Sequence, residues 1–352
     1  MNNQDQSLFK RMTGNKLFLP VFCLILVLII NEIVNLSFFA IKINEGVLYG
    51  IPIDIINRAS GLVILALGMT LTVASSAGTD ISVGAVSALT GAIMVVGVGT
   101  EETYKMPWIC AALLAMLVGC ICGAWNGFLV SYLKIQPMVA TLILYTAGRG
   151  MAQIVTGSFI LQQKKVASFS YMGTFLQIGN WKCPVPTPVF VAAIMVALTV
   201  LLLTKTAMGL YIQSVGINSA ASRLVGLNSK FIAFLTYVFC GFCAAINGMI
   251  STSRTASIDA NNVGLNQELD AILAVAIGGN SLGGGKFSIA GSVIGAVTIQ
   301  ALTTSLYSMS VPSDRVPLVK SIVVVVIVSL QSPELGKMYR SFKAKRAQKG
   351  VA

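Results

Sequence analysis

Five polar side chains interrupt long apolar stretches of this sequence: Asn126, Arg149, Gln153, Asn247 and Gln300. Such residues have two uses. They bond a neighbouring helix, a contact worth about 0.6 kcal/mol in a membrane, or they line a polar path. A path for a polyhydroxylated solute calls for amides beside aromatic faces, and Asn126 follows Trp125. Arg149, near the end of its apolar run, can also snorkel to the interface. Both uses stay open for each residue.

Other chemistry is scarce. The chain has no histidine, which removes the commonest acid/base group and metal ligand. Six of its seven cysteines lie in apolar runs; only Cys183 does not. Cys240 and Cys243 form a C-x-x-C with no second ligand pair, so these thiols read as small hydrophobes. Paired carboxylates and a nucleophile elbow are missing too. No catalytic residue, metal site or cofactor bound by this chain is expected.

Three segments stand out between apolar runs. In 215–226 (Val-Gly-Ile-Asn-Ser-Ala-Ala-Ser-Arg-Leu-Val-Gly), Asn218 can cap a short helix and Gly226 can end it in a left-handed conformation. That helix would show an alanine face suited to a groove on a partner; an ordinary interfacial turn is the other reading. The glycine-rich stretch 278–286 invites a phosphate-loop reading that fails. A glycine would be needed at 280 and Ser or Thr at 287, where Asn280 and Phe287 stand. Gly278 and Gly279 instead suit a tight turn and close helix packing. The third segment, 77–84 (Ala-Gly-Thr-Asp-Ile-Ser-Val-Gly), breaks two apolar runs with Asp80. Thr79 or Asp80 can cap the next helix, or Asp80 and Gly84 can mark irregular backbone lining a cavity or gate.

These residues are carried by a chain with too little polar surface for water. Of 352 residues 55% are hydrophobic and 10% charged, and the mean hydropathy is +0.82; soluble domains carry about 25% charge. The apolar runs predict an all-α polytopic membrane protein of about ten spans: 17–38, 53–75, 81–98, 108–132, 137–156, 188–203, 231–251, 270–279, 287–307 and 318–330. Residues 17–30 also fit the apolar core of a signal peptide behind Lys10, Arg11 and Lys16, but the apolar stretch resumes at 38–41 and no A-x-A site follows. The glycine series Gly119, Gly123, Gly127 and the pair Gly291, Gly295 predict helix-packing faces.

With both termini inside, 14 of the 24 Lys and Arg fall on the cytoplasmic side, among them Lys134, Lys205, Arg223, Lys230 and Lys286. Lys164, Lys165 and Lys182 fall outside and cut against this orientation. The net charge of +12 fits contact with lipid rather than nucleic acid. No linker, low-complexity tract or internal repeat is evident. The chain reads as one transmembrane domain over 1–352, with a cytoplasmic segment 1–16 and a basic cytoplasmic tail 332–352.

After residue 50 the sequence resembles the ribose-type permeases of ATP-binding-cassette importers. The resemblance rests on several blocks together: 68–72 (Gly-Met-Thr-Leu-Thr), 80–84 (Asp-Ile-Ser-Val-Gly), 134–137 (Lys-Ile-Gln-Pro) with 140–142, and 268–279 (Glu-Leu-Asp-Ala-Ile-Leu-Ala-Val-Ala-Ile-Gly-Gly). Within the family, 52–58, 147–153 and 259–264 look most like the permease of a galactofuranose importer. The chain departs from the family at 77–80, Ala-Gly-Thr-Asp, where members usually read Gly-Gly-Ile-Asp.

The resemblance implies a bacterial inner-membrane permease that moves a monosaccharide by alternating access: galactofuranose or galactose first, a ribose-like sugar next. It implies a cytoplasmic sugar-type ATPase that holds the ATP, a second permease chain, identical or related, and an extracellular or periplasmic sugar-binding protein. Gly216, Asn218, Ala220, Ala221, Arg223 and Gly226 then correspond to the coupling helix that docks on the ATPase. An ion-coupled carrier is the alternative from the residues alone. Such carriers need buried acids near the midplane, and only Glu32 lies within a span; Asp54, Asp80, Glu268 and Asp270 sit at span ends.

Overall fold

The computed structural model describes residues 17–44, 46–100, 103–163, 166–178 and 181–331. The predicted segment 1–16 and the tail 332–352 lie outside the described residues. Among the described residues the chain forms 13 helices and six short strands. The N-terminal helix α1 (Phe18–Val34) is apolar on most faces, and it leads into a hairpin of β1 (Lys42–Asn44) and β2 (Val47–Tyr49). Then come α2 (Ile51–Ser76), α3 (Val83–Val98), α4 (Trp108–Ser131) and α5 (Pro137–Thr156).

A polar excursion follows: β3 (Leu161–Gln162), α6 (Ala167–Ser170), β4 (Gln177–Ile178) and β5 (Trp181–Lys182). The chain continues through α7 (Thr187–Lys205), α8 (Met208–Ile217), α9 (Ser219–Leu224) and α10 (Ser229–Thr255). After β6 (Ser257–Ile258), which pairs with β3, come α11 (Gln267–Ile277), α12 (Ile289–Ser308) and α13 (Val316–Gln331).

Six of these helices, α2, α4, α5, α7, α10 and α12, are long and apolar enough to cross a membrane. The other four predicted spans correspond to shorter helices: α1, α3, α11 and α13. Length alone therefore does not establish ten crossings. What makes α3 and α11 short is a break before each, over 77–82 and 256–266. Helix α3 is buried along nearly its whole length.

The breaks expose an order that the sequence conceals. Long helix, break, shorter helix, long helix describes both α2–α3–α4 and α10–α11–α12. The two sets run in opposite senses. Along α2 and α10, Asn57 meets Arg254, Gly68 approaches Cys240, and Ser75 meets Thr236. This is an inverted arrangement of the kind transporters use to place a site between repeats.

Small residues set the helix spacing, as the glycine series predicted. A methyl at Gly119 would sit 2.6 Å from the Ala245 Cβ and 2.7 Å from the Gly241 carbonyl, and Gly123 and Gly127 likewise lie against Tyr237–Val238 and Phe234. Gly295 lies against Ala274 and Gly278, and Gly291 against Gly278. Serine and threonine hydroxyls join the helices between these contacts: Thr70 to Ser292 at 2.6 Å, and Ser87 donating to the Ala244 carbonyl at 2.8 Å.

Candidate functional site

The first turns of α3 and α11 meet inside the bundle, where Gly84 lies directly on the Gly264 backbone and the Glu268 carboxyl. Any side chain at 84 would push the two apart. Asp80 fixes the approach to α3: its Oδ1 accepts from the Ser82 amide (2.9 Å) and the Ser82 hydroxyl (2.6 Å). Asn126 reaches across from α4, its amide donating to Ser82 Oγ (2.8 Å) and Asp80 Oδ1 (3.3 Å). Asn126 is wholly buried, while Trp125 is half exposed on the other side of α4. The amide and the neighbouring indole therefore do not share a face.

Arg149 and Gln153 form a second group. Arg149 Nη1 donates to the carbonyls of Ala260 (3.0 Å), Asn261 (3.2 Å) and Val263 (2.6 Å), and Gln153 Nε2 donates to Asn261 Oδ1 (2.6 Å). Together they hold the loop before α11 against α5. The guanidinium is engaged by protein carbonyls rather than by the interface. Asp259 accepts from the Asn262 amide (2.6 Å) and the Asn261 N–H (2.9 Å) in the same loop. The Asn262 bond foremost holds its carboxyl below the usual range.

Asn247 and Gln300 make a third group. Asn247 Nδ2 donates to Gln267 Oε1 (2.6 Å) and Ser87 Oγ (3.1 Å), tying α10 to the starts of both short helices. Both residues line an enclosed polar cavity of about 70 Å³ with Arg58, Ser251, Arg254, Gln267 and Asp270. That volume admits a few waters and is far below the 300–1,000 Å³ of small-molecule pockets. Two ion pairs border it: Arg58–Asp54 (2.8 Å) and the more enclosed Lys320–Asp270 (2.6 Å). Gln267, Arg254 and Lys320 were not anticipated. Lys320 could have been found as a cation inside an apolar run, but nothing in its spacing names Asp270, 50 positions earlier, as its partner.

At the end of the bundle beyond Ser76, α9 stands out from the surface. Asn218 Oδ1 accepts from the Ala220 and Ala221 amides, both at 3.0 Å, and Gly226 closes the segment at φ +84°. Ala220, Ala221 and Arg223 are exposed; Leu224 is 90% and Val225 76% exposed. These adjacent apolar side chains leave the end of the segment uncovered beside the exposed Arg223.

The base of α9 is closely packed. Gly216 is wedged against the Ala74 carbonyl, and the Gly285 amide bonds that same carbonyl at 2.9 Å. The glycine-rich loop thus clamps α8 to the end of α2, with Gly278 packed on Gly291 and Gly279 turning at φ +76°. Beside it, burial and then the nearby charges of Lys230 and Arg223 lower the pKa of Lys134.

A buried bundle with internal breaks and an exposed capped helix at one end defines a multi-pass membrane protein of the transport type. The chain belongs to the family described as branched-chain amino acid transport system / permease component, whose model matches residues 51–330. It is 42% identical over 323 residues to the galactofuranose transporter permease protein YtfT of Escherichia coli (strain K12), covering 92% of this chain and 91% of that one. It is 37% identical to the fructose import permease protein FruF of Bifidobacterium longum over 99% of this chain and 97% of that one. It is 33% identical to a ribose import permease protein of Haemophilus influenzae over 87% and 90%. No solved structure matches the chain.

Proposed function

We propose that this chain is the permease subunit of an ATP-driven sugar importer, acting as a single transmembrane domain with both termini in the cytoplasm of a bacterial inner membrane. The observation that carries the proposal is α9, a capped, exposed, apolar-faced helix on a clamped base. It stands at the end that also gathers Lys134, Lys205, Arg223, Lys230 and Lys286. A cytoplasmic ATPase docks there, and ATP binds to that partner rather than to this chain. A second permease chain, identical or related, completes the path. A sugar-binding protein delivers substrate at the opposite end.

The relatives named for galactofuranose, fructose and ribose support a monosaccharide, with galactofuranose or galactose first and a ribose-like sugar next. In this reading Asn247, Arg149 and Gln153 lie beside the path and hold its breaks in place, Gln300 lines the small cavity while bonding Thr304 on its own helix, and Asp80, Asn126 and Gly84 keep the junction of the two short helices closed-packed. Ion coupling would need a free acid at depth. Asp270 is paired with Lys320, whereas Glu268 is buried at the α3–α11 junction with one carboxylate oxygen unpartnered, so Glu268 and Glu32 on α1 are that mechanism's candidates.

Replacing Ala220 and Ala221 together by aspartate tests the docking assignment. Uptake should be lost while membrane insertion stays normal; uptake at the wild-type rate would sink it.

A further inference from the structure

We propose that a lateral apolar crevice beside α8 binds an acyl chain of an anionic phospholipid. The crevice, about 300 Å³, lies where α4, α7, α8 and α10 meet over α2. Leu71 forms its floor, Met208 and Ile212 of α8 one wall, and Phe239 and Phe242 of α10 another. Two hydroxyls reach it and neither is free. Thr199 donates to the Met195 carbonyl (2.7 Å), and Thr236 donates to the Ala233 carbonyl (2.7 Å) and pairs with Ser75. Both hydroxyls spend their protons on carbonyls of their own helices, so a sugar would find no free hydroxyl donor in a lining that is otherwise almost wholly apolar, and apolar cavities of this kind stay dry.

The flanks say what reaches it. Leu117 and Ile121 on α4 and Leu198 and Leu201 on α7 are exposed side chains of membrane-length apolar helices. In a bilayer they face hydrocarbon, so the crevice between them opens to lipid tails. Left empty, its lining would lose dispersion contacts on one side.

Charge selects the headgroup. Lys205 ends α7 midway between the lining residues Leu202 and Met208 and is exposed there. An anionic headgroup is attracted to such a lysine at the bilayer surface. The bound chain would also brace α8, which carries two of the lining residues and runs directly into α9. This inference stands on the geometry of the crevice and does not depend on the transported solute.

The test is fluorescence quenching in nanodiscs. The full chain carries Trp108, Trp125 and Trp181 replaced by phenylalanine, with one reporter introduced by Phe239→Trp and, separately, a lipid-facing control by Leu198→Trp. Dibrominated phosphatidylglycerol should quench the Phe239→Trp reporter more strongly than dibrominated phosphatidylcholine at equal mole fraction. Lys205→Gln should erase that difference without removing quenching. No quenching at 239 while the control is quenched would overturn the site, whether the crevice is shut or covered by a second permease copy. Equal quenching by the two lipids would overturn the anionic preference. Phe242→Trp provides an independent reporter should Phe239→Trp not fold.

Discussion

Replacing Asn218 by alanine removes one acceptor that serves two amides, Ala220 N–H and Ala221 N–H, each at 3.0 Å. Losing such a cap costs typically about 1 kcal/mol, with a range of roughly 0.5–2. The six residues of α9 cannot absorb the loss by themselves, since isolated helices that short are unstable in water. The backbone bond from Ser222 N–H to the Asn218 carbonyl remains, so the segment is weakened rather than abolished. If docking requires the helical form, apparent affinity falls with the helical fraction. At 1.4 kcal/mol per decade the helix–coil constant of α9 falls about fivefold, so the affinity of nanodisc-embedded permease for its ATPase should fall measurably, by up to about fivefold where the free segment is mostly unformed and by roughly 30-fold at the upper end of the capping range. Titration of the ATPase onto immobilised nanodiscs measures this directly. Asn218→Asp and Asn218→Ser retain a capping oxygen and should bind within about twofold of wild type. Unchanged affinity in Asn218→Ala would refute the reasoning. So would an equal loss in Asn218→Asp, which would point to the amide itself touching the partner.

Other perturbations probe the bundle. Gly241→Leu drives a side chain into Gly123, whose amide nitrogen lies 2.8 Å from the position of an added Cβ. Overpacking of this kind costs about 1–3 kcal/mol or more, so the melting temperature in detergent should drop, whereas Gly150→Ala, in open space within α5, should not lower it and should raise it slightly, since glycine in a helix costs about 0.5–1 kcal/mol relative to alanine. Asn126→Leu takes a donor from the buried Asp80 and should cost about 1–3 kcal/mol; Asn126→Asp, which sets a second carboxylate against it, should melt lower still. Asp270→Asn strands Lys320 and should destabilise by up to about 3 kcal/mol, with much of the loss recovered in the double variant D270N/K320Q. A double-mutant cycle showing no coupling would mean that the pair does not form.

Much of this architecture is legible from apolar periodicity and small-residue spacing. The helix predicted over 137–156 is α5, with the same ends; Pro137 starts it and Gly157, at φ +64°, stops it. The cap at Asn218 and the left-handed Gly226 follow equally from local chemistry. The helix α8 is not legible in the sequence because Thr204, Lys205 and Thr206 end one apolar run and the residues after them are too few to read as another. The inverted order is hidden in the sequence because antiparallel sets need share only small residues at crossings, not a linear motif. Partners of buried polar groups were the least legible. Asn247 could be placed inside a helix, but that its amide meets Gln267 and Ser87 depends on where two breaks fall.

The central claim, that transport is driven by ATP hydrolysis on a docked partner, is tested most directly by uptake of labelled galactose in cells expressing the complete system, with an active or a hydrolysis-dead ATPase. Uptake should vanish with the dead ATPase and survive dissipation of the proton gradient when ATP is maintained. Competition by unlabelled ribose would move the substrate towards pentoses and leave the mechanism in place. Uptake that persists without ATP hydrolysis and collapses with the proton gradient would contradict the account and turn attention to Glu32.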